Sequence, residues 1–319
     1  KKRREANNTP LADHNEYYRL ELLAKGGTDK HATHVKGTLT RLLDGASIAS
    51  VGDLAVERIQ SALGRIKVAN SARTANHAMG AIKAFATWLE NAGRIKEAPK
   101  GLKLLKPYNE KADRKRVRRA LTMAELDKLL AAAEAGSPIH VYGPTKSKHN
   151  KTAVTGPARA ALYRLAMGTG FRANELRSLT PESFALEGDE PSVTIDAKYS
   201  KNGKPAVQPI TPELAEGLKR YVGTAEPGNP VLVVPEKTAK MLRMDLEAAG
   251  IPYEDGAGRV VDFHALRGTY ISHLIQSGAN PKVVQVLARH STITLTMDIY
   301  CQAEDKDLRS ALNRGKENA

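Results

Sequence analysis

One cysteine, Cys301, in 319 residues excludes an intramolecular disulfide and any zinc site built on several cysteines. Aromatic residues make up only 5%, so leucine, alanine, valine and isoleucine must fill the interior. At 41% hydrophobic the chain has enough of them for a sizeable core. No apolar run reaches the roughly 18–20 residues that a membrane-spanning helix needs, and no apolar secretory segment opens the chain. Neither a Walker-type phosphate loop nor a GxGxxG turn occurs, so ATP is not expected. Acids are also scarce, 35 against 49 Lys and Arg, for a net charge of +14. These shortages describe a soluble, cytoplasmic chain with a polyanionic partner. The sequence begins at Lys1 rather than Met, which leaves room for a natural N-terminus further upstream.

The positive charge is concentrated. Residues 1–120 hold 25 basic and 12 acidic side chains, and residues 121–319 hold 24 and 23. The densest stretch, Arg94–Arg119, sets eleven Lys or Arg against three acids. Pro99, Gly101 and Pro107 break it, which marks irregular structure. A chain of this length accommodates two domains of about 150 residues each. The expected division is a tail over 1–8, a helical domain over 9–105, a basic linker over 106–120 and a second domain over 121–319. Cations here can track a phosphate backbone and release its counterions. The candidates are Lys100, Lys103 and Lys106, followed by Arg114, Lys115, Arg116, Arg118 and Arg119. Lys146 and Lys148, in a Gly/Pro/Lys-rich stretch over 138–156 read as a surface loop, are further candidates.

Residues 9–93 pattern as helices. Thr28 caps one running through Lys30, His34 and Leu42. Asp53 starts a short one at Leu54. Thr74–Leu89 places Met79, Ile82, Phe85, Ala86 and Leu89 on one stripe, with Trp88 beside it as a core residue. His31 and His34 share a helix face but have no third ligand nearby, so no metal is expected. From 121 onward the pattern is mixed. Thr122-Met-Ala-Glu125 is a capping box. A helix over 158–179 breaks at Gly168-Thr-Gly170. Val193–Ile195 and Val207–Ile210 alternate as paired strands around the turn signal Asn202-Gly203. Thr211-Pro212-Glu213 opens a helix, Asp262 caps another that reaches Gln276 and ends at Gly278, and Asn280-Pro281 opens the next.

Four short segments carry chemistry. Gly168-Thr-Gly-Phe-Arg172-Ala-Asn-Glu175 puts an arginine just after a glycine break, where its planar fork can take two phosphate oxygens. Glu175, one turn on, can hold it. Lys198-Tyr-Ser-Lys201-Asn-Gly-Lys204 places ammonium groups at a hairpin tip, able to protonate a leaving alkoxide. Asp262-Phe-His264-Ala-Leu-Arg267 sets a histidine and an arginine at i, i+3 on one helix face, where the imidazole can move a proton near neutral pH. Leu287-Ala-Arg-His290 is followed ten residues later by Tyr300. Each segment alone is ordinary surface sequence; their order is what is specific.

In that order they resemble the tyrosine recombinase (phage integrase) family, whose pattern runs Arg, hairpin Lys, His-x-x-Arg, His, then Tyr. The pattern falls on Arg172, Lys201, His264, Arg267, His290 and Tyr300. Lys201, eight residues before Pro209, is preferred over Lys198 and Lys204. Ala265 stands where the family often has a polar residue. The resemblance covers about 121–312, with helical character alone relating 9–105. It implies a mainly α fold with a small antiparallel β-sheet: an N-terminal helical core-binding (SAM-like) domain and a mixed α/β catalytic domain.

The resemblance also implies a mechanism. Tyr300 attacks a DNA phosphodiester, forms a 3′-phosphotyrosine bond and frees a 5′-hydroxyl. Arg172 and Arg267 bind the non-bridging oxygens, with Glu175 as support. His264 accepts or orients the tyrosine proton, Lys201 donates one to the leaving oxygen, and His290 bonds a non-bridging oxygen. No metal or other cofactor is required. The expected partner is double-stranded DNA, clamped between the two domains, with a homotetramer acting on two DNA sites. A C-terminal segment bearing Leu308 and Leu312 is then a candidate for exchange between protomers. A type IB topoisomerase-like enzyme shares this chemistry. A helix-turn-helix regulator over 272–300 does not explain Arg172, Lys201 and Tyr300.

Overall fold

The computed structural model describes residues 2–142, 151–200 and 203–300, apart from the side chains of Lys2, Lys151 and Tyr300. The chain divides into two compact units, Lys1–Lys115 and Arg116–Ala319.

The first unit is helical: α1 (Lys2–Asn8), α2 (Leu11–Ala24), α3 (Asp29–Gly45), α4 (Val56–Ala69) and α5 (Ala72–Asn91). The Thr28 hydroxyl accepts from the His31 backbone N–H and opens α3, as its sequence predicts. Leu39, Leu42, Ile59, Leu63, Ile82, Phe85 and Leu89 are fully buried in one core. Each such side chain contributes about 1.5–3 kcal/mol by leaving water. Trp88 packs on that core, its ring 5.8 Å from Phe85 and 5.3 Å from Tyr18. The helix expected to start at Leu54 instead starts at Val56. The Asp53 carboxylate is taken by the backbone N–H and hydroxyl of Ser50, closing a single 3-10 turn before it.

The stretch expected as a linker divides between the two units. Residues up to Lys115 lie along α5: Asn76 bonds the Tyr108 backbone at both its N–H and its carbonyl, and Lys83 donates to the carbonyls of Lys103 and Leu105. Asp113 accepts from the Ala72 backbone N–H. Residues from Arg116 onward belong to the second unit, where β1 (Val117–Arg118) pairs in parallel with a later strand.

The second unit continues with α6 (Met123–Ala135), β2 (Ile139–Tyr142), β3 (Lys151–Val154), α7 (Gly156–Thr169), α8 (Ala173–Arg177), β4 (Phe184–Ala185), β5 (Ser192–Ile195) and β6 (Ala206–Pro209). It then runs through α9 (Pro212–Thr224), α10 (Thr238–Ala248), β7 (Arg259–Val260), α11 (Ala265–Gln276), α12 (Pro281–Leu287) and α13 (Ile293–Tyr300). The Thr122–Glu125 capping box is formed in full. Strands β4, β5 and β6 make an antiparallel sheet in that order, with Val193 opposite Gln208. The segment over 138–156 is not simply a loop, because β2 and β3 pair as an antiparallel hairpin. Its tip, with Lys146 and Lys148, lies outside the described residues. The core joins Leu129, Ala160, Tyr163 and Ala166 to Val193, Ile195, Leu242 and Leu266. Among the described residues no helix is long and apolar enough to cross a membrane.

Candidate active site

The break between α7 and α8 sets the first arginine. Gly170 adopts φ +64°, and a Cβ there would run into the Tyr270 ring, so both conformation and space require glycine. Arg172 follows as the residue capping α8. Glu175 accepts its backbone N–H at 2.7 Å and its Nη1 at 2.9 Å. The Arg172 side chain stays about one-third exposed while Glu175 is buried. Arg172 and neighbouring Arg289 hold the Glu175 carboxyl below the usual range, against the opposing effect of burial, which is the largest influence on it.

The second arginine is internal. Arg267 sits in the first turn of α11, 4% exposed. Its Nη1 donates to the Gly170 carbonyl at 2.6 Å, and its Nη2 donates to the Ala288 carbonyl. One guanidinium thus ties α11 to the segment before Arg172 and to the segment before His290. Burial, then repulsion from Arg172 and Arg289, lowers its pKa to about 10. It remains a cation at neutral pH.

His264 stands at the N-terminus of α11. The helix is capped by Asp262, whose carboxylate accepts the Ala265 N–H at 3.0 Å and holds the Nε of Arg118 at 2.8 Å. His264 presents an exposed edge, yet desolvation, followed by Arg118 and Arg267, lowers its pKa. His290 lies beyond α12, with Nδ1 2.8 Å from the Thr296 hydroxyl on α13. Desolvation, followed by Arg267, Arg172 and His264, brings its pKa down to about 4. At neutral pH both imidazoles are uncharged. One can serve as a proton acceptor, and the other can donate through a ring N–H.

A pH dependence follows. An unfolded histidine binds a proton near pH 6.5, while folded His290 resists it down to about 4. The stability that neutral His290 contributes is therefore full above pH 6.5 and declines as pH falls toward 4. Thermal midpoints measured across that window should fall less steeply for His290→Gln than for the wild type. Equal slopes would contradict the burial assigned to this ring.

The structure thus brings Arg172, Glu175, His264, Arg267 and His290 together from three separated segments. Tyr300 is the last residue of α13, ten residues past His290, and its side chain is outside the described set. Lys201 also lies outside the described residues. Of its rivals, Lys198 sits 3.6 Å from Asp196, and Lys204 is exposed. The hairpin that carries all three is anchored at its base, where buried Gln208 on β6 donates to the Tyr270 hydroxyl at 3.1 Å. Of the basic candidates in the first unit, Lys100, Lys103, Lys106, Arg114 and Lys115 are exposed. Arg116 is exposed in the second unit. Arg118 is paired with Asp262, and Arg119 is half-buried, with two bonds of 2.9 and 2.8 Å to Glu125.

A family model described as the phage integrase family matches residues 119–307. The chain belongs to that family. Tyrosine recombinase XerA of Thermococcus onnurineus (strain NA1) is 26% identical over 212 residues, 66% of this chain and 69% of that protein. Among solved structures, a lambda integrase(75-356) dimer bound to a COC′ core site has the same fold. It aligns with a TM-score of 0.68 at 17% identity, covering 90% of this chain and 97% of that one. A lambda integrase tetramer bound to a Holliday junction aligns with a TM-score of 0.67 at 17% identity, covering 91% and 77%.

Three supporting side chains fall outside the family pattern. Arg289 pairs with Glu175 at 2.7 Å, Thr296 bonds His290, and Tyr270 receives Gln208. For Arg289 a signal was available: no glycine stands between the end of α12 and His290, where helices commonly turn off.

Proposed function

We infer that the chain is a site-specific DNA recombinase that cuts and rejoins duplex DNA through a 3′-phosphotyrosine at Tyr300. The observation that carries this reading is the convergence of Arg172, His264, Arg267 and His290 within a chain of this family, with Tyr300 one short helix beyond His290. Arg172 offers a partly exposed guanidinium to a non-bridging phosphate oxygen, and Arg267 adds fixed positive charge behind it. Both stabilise the extra negative charge of the five-coordinate phosphorus. The Tyr300 oxygen forms a bond to phosphorus as the bond to the 5′-oxygen breaks. Neutral His264 takes the phenol proton, and Lys201 returns one to the leaving 5′-oxygen. The phosphodiester energy stays in the phosphotyrosine, so a second 5′-hydroxyl can reverse the step without ATP. No step in this scheme calls for a metal.

The basic first unit serves as the duplex-gripping, core-binding domain and the second as the catalytic domain. A cytoplasmic location, on the nucleoid when DNA is bound, fits this role. The working form is a tetramer on two DNA sites, a reading that the likeness to a lambda integrase tetramer bound to a Holliday junction supports. Val283, Val286, Ile293 and Leu295, exposed on and beside α12 and α13, support an exchange of C-terminal segments between protomers. That segment, with Leu308 and Leu312, lies outside the described residues.

The test uses duplexes drawn from a random-sequence pool by binding to the protein. Two differently labelled copies of a selected site should exchange strands. Relaxation of supercoils without exchange would favour a topoisomerase-like enzyme, and binding without either would favour a regulator.

A further inference from the structure

Arg289 is one of two non-glycine residues in the described chain with positive φ, at 52°. It follows the C-cap Ala288 of α12. Its N–H bonds the Val286 carbonyl at 2.8 Å, and the His290 N–H bonds the Gln285 carbonyl at 3.0 Å. These two bonds are the usual way a helix ends at a left-handed residue, and glycine is the residue that does so without steric penalty. An arginine is held there by its side chain. The guanidinium lies over the Phe171 ring at 4.4 Å, and Nη2 meets Glu175 Oε2 at 2.7 Å.

Glu175 is therefore shared. Oε1 holds Arg172 Nη1, while Oε2 holds both the Arg172 backbone N–H and Arg289. On the other side of Arg289 the next residue is His290. Arg267 bridges the same two segments through Gly170 and Ala288. Without Arg289, Glu175 would lose one of its two fixed cationic partners, and the turn into His290 would lose the side chain that anchors it.

We propose that Arg289 is a positioning residue for DNA cleavage, holding Glu175, and through it the Arg172 guanidinium, in register with His290. The proposal rests on the cleavage reading above. It separates chemistry from binding: Arg289 is 14% exposed at its side chain and already paired, so DNA affinity does not depend on it.

The test is Arg289→Gly, which removes the guanidinium while suiting the backbone, with Arg289→Lys as the conservative comparison. The probe is a nicked duplex selected from a random pool by the wild-type protein, and the readout is single-turnover formation of the covalent adduct at saturating DNA. The expected result is a rate at least tenfold lower for Arg289→Gly, partial recovery in Arg289→Lys and DNA affinity within twofold. In a Glu175→Gln background, Arg289→Gly should cost far less, because both act through one carboxylate. A wild-type rate in Arg289→Gly would overturn this proposal alone. No adduct from the wild type on its own selected duplex would overturn the cleavage reading, and this proposal with it.

Discussion

Arg172→Lys is expected to slow DNA cleavage by about 10²–10³-fold, the effect of removing one donor aimed at developing charge, on the order of 3–4 kcal/mol. The arginine performs two tasks at once: Nη1 is committed to Glu175 at 2.9 Å, and the exposed part of the fork is left for phosphate. A lysine ammonium is a single point of charge and cannot face both. The fold should survive. The α8 cap uses the backbone N–H of residue 172, which lysine retains, and the side chain is partly exposed. Single-turnover adduct formation and binding of the same duplex separate the two effects. Slow cleavage with near-normal binding is the expected pair, and near-normal cleavage would contradict the role assigned to Arg172.

The second large effect is on stability, at a site remote from the chemistry. Asp245 on α10 is 3% exposed and accepts from Arg159 through three contacts of 3.0–3.2 Å and from the Tyr163 hydroxyl at 2.6 Å. Arg159 in turn donates to the carbonyls of Ser137 and Val154 at the base of the β2–β3 hairpin. Asp245→Ala would strand a buried guanidinium and leave the Tyr163 hydroxyl without its acceptor. Removing one partner of such a pair costs about 3–5 kcal/mol, which lowers the melting temperature of a unit this size by on the order of 10 °C. An unchanged midpoint would mean that Arg159 finds other acceptors or water.

The helices were legible wherever a capping side chain met an apolar stripe. Thr28, Thr122 and Thr211 each cap the helix that their position announces. Asp53 misled, because a short acidic side chain can satisfy the turn before it as readily as the helix after it, and Ser50 offered the nearer donors. The parallel pairing of Val117–Arg118 with Arg259–Val260 joins residues about 140 positions apart through two-residue strands, too short to show a period. The basic stretch read as a linker is bound to α5 through backbone carbonyls, and composition carries no trace of such bonds.

At the site, the family resemblance singled out Arg172, His264, Arg267 and His290, and the fold places them together. Their supports were less visible. Arg267 reaches two carbonyls 118 residues apart, and the Arg289–Glu175 pair spans 114 positions. Both belong to the folded arrangement rather than to any local motif.

The measurement that bears most directly on the central claim is covalent trapping. The protein is incubated with EDTA and a nicked duplex that it selects from a random pool, then denatured and digested, and the DNA-linked peptide is mapped. A 3′-phosphotyrosyl bond on Tyr300 in the wild type, and none in Tyr300→Phe despite undiminished binding, is the predicted result. An adduct on another residue, or none on a tightly bound duplex, would contradict it.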